Sequence, residues 1–354
     1  MKKQIDLNKI ERILITRTDR IGDVVLSTPV IEALRKRFPK AILSMMVTPQ
    51  TAPLVSGNPY LDEVIIYDKK GSERSWQGTW AFAKQLKRKD FSLAIHLHPT
   101  NRSHWVSYLA GIPVRIGYRY KNYRLLTHAI DHAKQEGIRH EAEYNFDLLK
   151  LVDVPVPQII KSFVPVQDQA QLEWEKIKLE HSLSAKEFFV MNPGASCPSK
   201  VWPPSRFAEL ANDLTQKYQM PVVLVGSKDE EALSNQIKEW VNSAQVIVLT
   251  GSLNLSQLIC ALKEARLLVS NDTGPVHIAA AVDTPVISLF GRTQPGLSPA
   301  RWKPLGDKSF VIHKDVGCDI CYAHECPYSF KCLDAIEVRE VMETIEKAQT
   351  YTYC

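Results

Sequence analysis

The feature that most constrains the fold of this chain is an alternation of short apolar runs with longer amphipathic segments, which occurs in two series. The first series contains the runs 13–15, 42–47, 64–66 and 93–95. The second contains the runs 188–191, 222–225, 246–249, 267–269 and 286–289. Short apolar runs separated by helical segments are typical of buried parallel strands. The sequence therefore predicts an α/β protein with two doubly wound domains.

Length and proline placement divide the two series. At 354 residues the chain is too long for one ordinary hydrophobic core. Closely spaced prolines between Val154 and Pro165 interrupt both periodicities and indicate a semi-rigid linker. We expect one domain over residues 1–160, a second over 161–335, and a helical C-terminal segment over 336–354 that packs back on either domain.

Composition restricts the cellular compartment and the binding partners that we expect for this protein. No apolar run reaches the roughly 20 residues that span a bilayer, and the N-terminus lacks the apolar core of a secretion signal, so we expect a cytoplasmic protein. The formal net charge of +5 is too small to predict nucleic-acid binding. It favours an acidic substrate or an anionic membrane surface.

A turn over residues 270–277 joins an apolar strand to a helix of small residues. Asp272 or Thr273 can cap this helix, and Gly274 lets a ligand approach the backbone. His277 lies one turn inside, where the helix dipole disfavours imidazolium. Such a helix start can bind an anion, but an ordinary strand-to-helix turn explains the segment equally well when it is taken alone.

Two other turns of the second half carry polar or charged residues after a strand. In one, Gly194 and Ser196 offer backbone and hydroxyl donors to a diphosphate, and Lys200 adds a mobile positive charge. The spacing is not that of a Walker loop, and Lys200 can also be a plain surface lysine. In the other, Asp229 or Glu230 can bind the hydroxyls of a ribose or merely complement a helix dipole.

The first strand of the chain is followed by a turn that holds a carboxylate. Gly22 permits a tight turn and places Asp23 just past the strand end, where it can act as a base or simply cap a helix. Arg17 and Arg20 flank it. They would keep Asp23 ionised and attract an anionic acceptor, unless one of them is solvated surface charge.

The cysteines of this chain could form disulfides, bind a metal or remain reduced. Seven cysteines in a chain without a secretion signal argue against a disulfide framework. Four of them cluster at Cys318, Cys321, Cys326 and Cys332, a density that can hold zinc or an iron–sulfur cluster. The last two spacings fit no common zinc module, so a compact loop of reduced thiols is the simpler interpretation.

Three motifs in this order resemble glycosyltransferase family 9, the family of lipopolysaccharide heptosyltransferases. They are Arg-Ile-Gly-Asp with Thr-Pro at 20–29, Asn-Pro-Gly-Ala-Ser with Lys and Trp-Pro at 192–203, and Asn-Asp-Thr-Gly-Pro with His at 271–277. The resemblance covers about residues 13–336. It implies a GT-B fold, in which two Rossmann-like domains face a central cleft. The acceptor would bind the N-terminal domain and the nucleotide-sugar the C-terminal one.

The resemblance also implies a reaction. It is inverting transfer of a heptose from ADP-L-glycero-D-manno-heptose to the inner core of lipopolysaccharide, with no metal or other cofactor required. Asp23 resembles the catalytic base, and Ser196 and Lys200 resemble the diphosphate and sugar contacts. By the same resemblance, the nucleotide-side loop would be formed by Asp272, Thr273, Gly274 and His277. Ala195 departs from members that carry a second hydroxyl there, so one phosphate contact is missing or supplied by the backbone.

The acceptor side is less specific. Arg102 and Arg119 belong to a basic surface with interspersed aromatic residues, which suits a lipid-anchored saccharide bearing carboxylates or phosphates. The same surface could rest on the inner membrane, and the two interpretations are compatible. We expect a monomer. The main alternative is a GT-B transferase that uses another nucleotide-sugar on a different cell-surface polysaccharide, because no motif discriminates the base or the sugar.

Overall fold

A computed structural model describes residues 4–241, 243–318, 321 and 324–350. The chain forms two compact units. One contains the chain up to Gln135 together with Glu141–Pro165, and the other contains Glu136–His140 together with the chain from Val166 onward. The expected domain boundary at 160/161 lies close to the division at 165/166, whereas the short segment Glu136–His140 was not anticipated. Residues 351–354 of the expected C-terminal segment lie outside the described residues.

The first unit contains a six-stranded parallel sheet in the order β3-β2-β1-β4-β5-β6. Its strands are β1 (Arg12–Thr16), β2 (Ile42–Val47), β3 (Glu63–Ile66), β4 (Leu93–His96), β5 (Val114–Arg119) and β6 (His128–Asp131). Its helices are α1 (Ile21–Val25), α2 (Thr28–Arg37), α3 (Trp76–Lys87), α4 (Asn101–Leu109) and α5 (Glu141–Leu149). The strand order reverses between β1 and β4, which makes their carboxyl ends the ligand-binding position of such a sheet.

The second unit repeats this topology, with the order β12-β11-β10-β7-β8-β9 and all neighbours parallel. Its strands are β7 (Phe189–Asn192), β8 (Val222–Leu224), β9 (Val246–Val248), β10 (Leu267–Asn271), β11 (Val286–Phe290) and β12 (Ser309–His313). Its helices are α6 (Asp168–Glu180), α7 (Pro204–Tyr218), α8 (Glu231–Trp240), α9 (Leu255–Glu264), α10 (Gly274–Ala281), α11 (Pro299–Trp302), α12 (Lys331–Asp334) and α13 (Val338–Thr350). Here the order reverses between β7 and β10. The prediction of two doubly wound α/β domains is confirmed.

Helix α13 packs on the second unit. Val338, Val341, Ile345 and Ala348 recur every three or four residues and are buried in the core that α7, β7 and β8 share. Lys217 on α7 pairs with Glu346 at its exposed edge. No described helix has the length and apolar character needed to cross a membrane.

The segment Glu136–His140 forms a strap on the second unit. His140 Nε2 donates to the Lys303 carbonyl oxygen at 2.8 Å. Gly137 has a φ of +63°, and a Cβ there would lie 1.7 Å from the Pro295 carbonyl oxygen. Both the left-handed backbone and the close approach therefore require glycine.

Candidate active site

Two asparagines join the loops at the carboxyl ends of β7 and β10. Asn192 donates from Nδ2 to Thr273 Oγ1 at 2.8 Å. Asn271 donates from Nδ2 to the Pro193 carbonyl at 2.7 Å and accepts from the Trp202 backbone N–H at 3.0 Å. A buried amide that uses both its oxygen and its nitrogen, as Asn271 does, fixes the surrounding backbone. The switch point of the second sheet is therefore a preorganised polar site.

A buried charge cluster lies beside this site. Asp272 Oδ2 is 2.9 Å from Lys200 Nζ and 3.1 Å from Arg292 Nη2. Lys200 Nζ also donates to the Asp272 carbonyl at 2.7 Å. The side chains of Lys200, Asp272 and Arg292 are only 13%, 5% and 6% exposed. Two cations around one carboxylate leave a positive charge close to the N-terminus of α10, which favours binding of an anion.

The start of α10 differs from the expected capped helix. Thr273 occupies the N-cap position, but its side chain makes no capping hydrogen bond. Its hydroxyl instead accepts from Asn192 and donates to the Asn271 carbonyl at 3.1 Å. The carboxylate of Asp272 is engaged by the two cations. The prediction that one of these two side chains caps α10 is therefore wrong.

His277 is buried in the first turns of α10, only 4% exposed. Burial lowers its pKa to about 4, against the opposing effect of Asp272. Its Nδ1 has no hydrogen-bond partner among the described residues. A neutral imidazole was expected from the helix dipole, but burial is the larger cause.

Glu230 rather than Asp229 faces the loop after β7. A Cβ on Gly194 would lie 2.1 Å from the Glu230 carboxylate, so the missing side chain makes room for it. The same carboxylate accepts from the Ser227 N–H at 2.7 Å and from the Ser227 hydroxyl at 2.9 Å, which closes a capping box. Asp229 and Ser196 are exposed.

The first unit holds Asp23 through Arg17. Arg17 is 1% exposed, and its guanidinium donates to Asp23 Oδ1, to Asp19 Oδ1 at 2.8 Å and to Glu141 Oε1 at 3.1 Å. Burial lowers its pKa, but Asp19, Asp23 and Glu141 outweigh that effect and raise it above the ordinary value. Arg17 thus positions the carboxylate, whereas its predicted effect of keeping Asp23 ionised is opposed by burial and by Asp19. The acceptor contact also predicted for Arg17 stays a prediction.

A second buried cation completes this network. Lys134 Nζ donates to Glu141 Oε1 at 2.6 Å and to Asn145 Oδ1 at 2.8 Å. Arg17 donates to the same amide oxygen at 3.2 Å. Three carboxylates therefore share two cations, which leaves an excess of negative charge around Asp23.

This excess of negative charge affects the pKa of Asp23. Asp23 has a pKa raised above its usual value, first by burial and then by the negative charge of Asp19, while Arg17 opposes both. The side chain remains 14% exposed. A partly accessible carboxylate with a raised pKa is suited to accept a proton near neutral pH.

The predicted acceptor residues lie in three places of the first unit. Arg20 is exposed at the N-cap of α1, next to Gly22 and Asp23. Arg119 pairs with Asp131 at 3.0 Å and lines a pocket with Arg124. Arg102 donates to the backbone carbonyls of Lys69, Glu73 and Arg74 at 2.9–3.4 Å, so it fastens the loop before α3. The structure does not bring Arg102 and Arg119 together into one described pocket.

The four clustered cysteines line one pocket together with Gly291 and Arg292. Cys332 donates to the Gly291 carbonyl at 2.6 Å. Within residues 4–241, 243–318, 321 and 324–350, no group of three or more His, Cys, Asp or Glu side chains has the geometry of a metal site. The metal site considered at these cysteines therefore stays a prediction.

Sequence reasoning missed several members of both sites. Arg292 follows an apolar run, so a cation after a predicted strand was a signal that could have identified it. Lys134, Glu141 and Asn145 carry no such signal, because they come from separate segments that only the fold brings to Arg17.

Comparisons with known proteins show which family this chain is similar to. A family model described as glycosyltransferase family 9 (heptosyltransferase) matches residues 79–331. Lipopolysaccharide heptosyltransferase 2 of Salmonella typhimurium is 27% identical over 327 residues, which cover 86% of this chain and 89% of that protein.

Two solved structures are similar over nearly the whole chain. One is a glycosyl transferase family 9 protein from Veillonella parvula, with a TM-score of 0.88 and 23% identity, covering 99% of this chain and 100% of that one. The other is the E. coli ADP-heptose lps heptosyltransferase II, with a TM-score of 0.79 and 25% identity, covering 97% and 100%.

Proposed function

Because the chain belongs to glycosyltransferase family 9, we propose that it transfers a heptose from ADP-L-glycero-D-manno-heptose to the inner core of lipopolysaccharide. It has the GT-B fold. The choice of heptose is supported by relatives that are named lipopolysaccharide heptosyltransferases. An ADP-linked donor is supported by the name of the similar E. coli enzyme.

The observation that carries the donor site is Asp272 held between Lys200 and Arg292 beside the start of α10. We propose that the diphosphate binds there, where it contacts Lys200 and the backbone N–H groups of the uncapped helix. Glu230 would bind the ribose hydroxyls. As the bond between the sugar and the diphosphate breaks, negative charge grows on the ADP. We propose that the cationic side chains stabilise this charge without a divalent ion.

Asp23 is the proposed base. Its carboxylate takes the proton of the acceptor hydroxyl while that oxygen forms a bond to the anomeric carbon. The bond from this carbon to the phosphate oxygen breaks at the same time, and ADP leaves with the electron pair. A single displacement of this kind inverts the anomeric configuration. Arg17 holds the carboxylate in position, and Asp19 keeps its affinity for the proton high.

The acceptor is proposed to be a lipid-anchored acidic saccharide. Arg20 lies beside Asp23, and Arg119 and Arg124 line a basic pocket of the same unit. Such guanidinium groups bind carboxylates and phosphates. We propose a monomer that works at the cytoplasmic face of the inner membrane.

The decisive experiment compares the donors. Purified protein is offered ADP-, UDP- and GDP-linked sugars with a truncated inner-core acceptor, and the product is examined by mass spectrometry and by NMR of the new linkage. Transfer from ADP-heptose with inversion is expected. Preference for another nucleotide-sugar, or retention of configuration, would contradict the proposal.

The role of Asp23 is tested by Asp23→Asn. An amide keeps the size of the side chain but cannot take the proton, so turnover should fall by about 10²–10⁴-fold. ADP binding, measured by calorimetry, should remain nearly unchanged because Asp23 is not one of the residues proposed to contact ADP. Near-normal turnover of this variant would exclude Asp23 as the base.

A further inference from the structure

Helices α3 and α4 of the first unit present a row of aromatic rings at the surface. Trp76 and Trp80, one turn apart on α3, are 65% and 58% exposed, and Tyr108 on α4 is 49% exposed. The ring centroid of Trp105 lies 5.6 Å from that of Trp76 and 6.1 Å from that of Tyr108. Single exposed aromatic residues are ordinary, whereas a contiguous row of them marks an interaction surface.

The same face carries positive charge. Lys84, Lys87 and Arg88 are exposed and continue the stripe of Trp76 and Trp80 at helical spacing. Lys84 Nζ lies 5.6 Å from the Trp80 ring centroid. The sequence of α3 contains no acidic residue to balance these cations.

The opposite face of α3 fixes the helix in place. Phe82 and Leu86 are buried in a core cluster that also contains Val106 of α4. Ser75 caps the helix by accepting from the Gly78 N–H at 3.0 Å. A Cβ on Gly78 would lie 2.2 Å from the Ser72 carbonyl oxygen, so the preceding loop packs directly against the helix. The outer face is therefore a preformed surface.

We propose that this aromatic-basic face docks the protein on a bilayer that contains anionic lipids; the face comprises Trp76, Trp80, Lys84, Lys87, Arg88, Trp105 and Tyr108. Indole and phenol rings prefer the boundary between headgroups and acyl chains, and ammonium groups bind the lipid phosphates. The inference deepens the proposed function, since a lipid-anchored acceptor has to be reached at a membrane surface.

Charge argues against a second copy of this chain as the occupant. If two copies of the chain met through this face, the interface would contain Lys84, Lys87 and Arg88 from both copies. Like charges at an interface disfavour association. An anionic bilayer instead offers the opposite charge together with an apolar layer for the rings.

The test is co-sedimentation of the full chain with vesicles of phosphatidylcholine alone or mixed with phosphatidylglycerol, without donor or acceptor. Wild-type protein should bind the anionic vesicles and prefer them over the neutral ones. Lys84→Gln with Lys87→Gln should weaken binding about 25-fold, from about fivefold for each cation removed. Trp76→Ala with Trp80→Ala should weaken it at least about tenfold.

Matched controls lie on the second unit. Trp240, 48% exposed, is changed to Ala, and the exposed Lys331 and Lys347 are changed to Gln. These controls should bind vesicles like the wild type. All variants should keep wild-type turnover on a soluble acceptor, which separates failure of docking from failure of the proposed chemistry.

Three results would overturn the inference. They are no binding of the wild type to anionic vesicles, loss of binding in the control variants equal to that in the α3 variants, and concentration-dependent self-association that the tryptophan substitutions abolish. The last result would make this face a contact between copies of the chain.

Discussion

At the scale of single residues, Asp272 is the residue around which the proposed donor site is organised. It holds Lys200 by its side chain and its carbonyl, and it holds Arg292 by its side chain alone. A phosphate of the proposed donor would compete with Asp272 for these cations. If Lys200 turns to the phosphate, Arg292 can continue to neutralise the buried carboxylate, which would otherwise be left unpaired at a considerable energetic penalty.

Replacing Lys200 with Ala should therefore harm binding and catalysis together. Turnover should fall by about 10²–10³-fold, because a fixed charge that stabilises the leaving group is lost. Donor affinity, measured by titration calorimetry with ADP, should fall as well. If both were unchanged, the phosphate role of Lys200 would be excluded.

Arg292 provides the comparison for that experiment. Arg292→Lys keeps the charge beside Asp272 and should retain more activity than Arg292→Met, which removes it. Measuring KM and kcat separately distinguishes the two cations. Lys200 should affect both values, whereas a residue that only neutralises Asp272 should act mainly on donor KM.

How far sequence predicted these sites depended on how local each signal was. Lys200, Asp272 and Asp23 follow apolar runs, and residues after strand ends are recognisable from the pattern alone. The preference for Glu230 over Asp229 depends on which side chain occupies the space above Gly194, and this is a property of packing. The partners of Arg17 come from distant segments, and no pattern within one segment could specify them.

At the scale of helices and strands, the burial of each strand explains whether it could be predicted from the sequence. All nine predicted runs became strands, whereas β5, β6 and β12 were missed. The strands β6 and β12 lie at sheet edges, and no residue of β6 is fully buried. Edge strands do not need a continuous apolar run. The strand β5 contains two arginines and a glycine, which obscure the pattern.

Helix α13 should be essential for the stability of the second unit. Ile345 is fully buried in the shared core, so Ile345→Ala should lower the free energy of unfolding by about 2–5 kcal/mol. Lys347→Ala on the exposed side of the same helix should change it by less than about 0.5 kcal/mol. Urea unfolding followed by circular dichroism provides the measurement, and equal effects of the two substitutions would show that α13 contributes no core packing.

At the scale of the whole molecule, both units bury neutral histidines. Burial lowers the pKa of His104 and of His277 to about 4 and holds that of His96 well below its usual value. His96 and His104 belong to the first unit, and His277 belongs to the second. In each case the unfolded chain takes up a proton at a higher pH than the folded chain does.

Stability should therefore be fully present above about pH 6.5 and should decline as the pH falls toward 4. Each unit of pKa difference corresponds to about 1.4 kcal/mol. The raised pKa of Asp23 acts in the opposite direction, but it is one group against five histidines, because burial also lowers the pKa of His98 and of His313. Urea midpoints measured between pH 7 and pH 4.5 test this, and His104→Leu should flatten the decline. Midpoints independent of pH over this range would contradict the expectation.

The strap Glu136–His140 determines where the chain can be cut into two fragments that fold. A cut at the 165/166 boundary would give a C-terminal fragment without the segment that bonds to Lys303, and an N-terminal fragment carrying that segment without its binding surface. Each fragment expressed alone should therefore fold less well than the same fragment co-expressed with the other one. A fragment that begins at residue 136 keeps the strap joined to the second unit, and in it the proposed nucleotide binding can be tested separately.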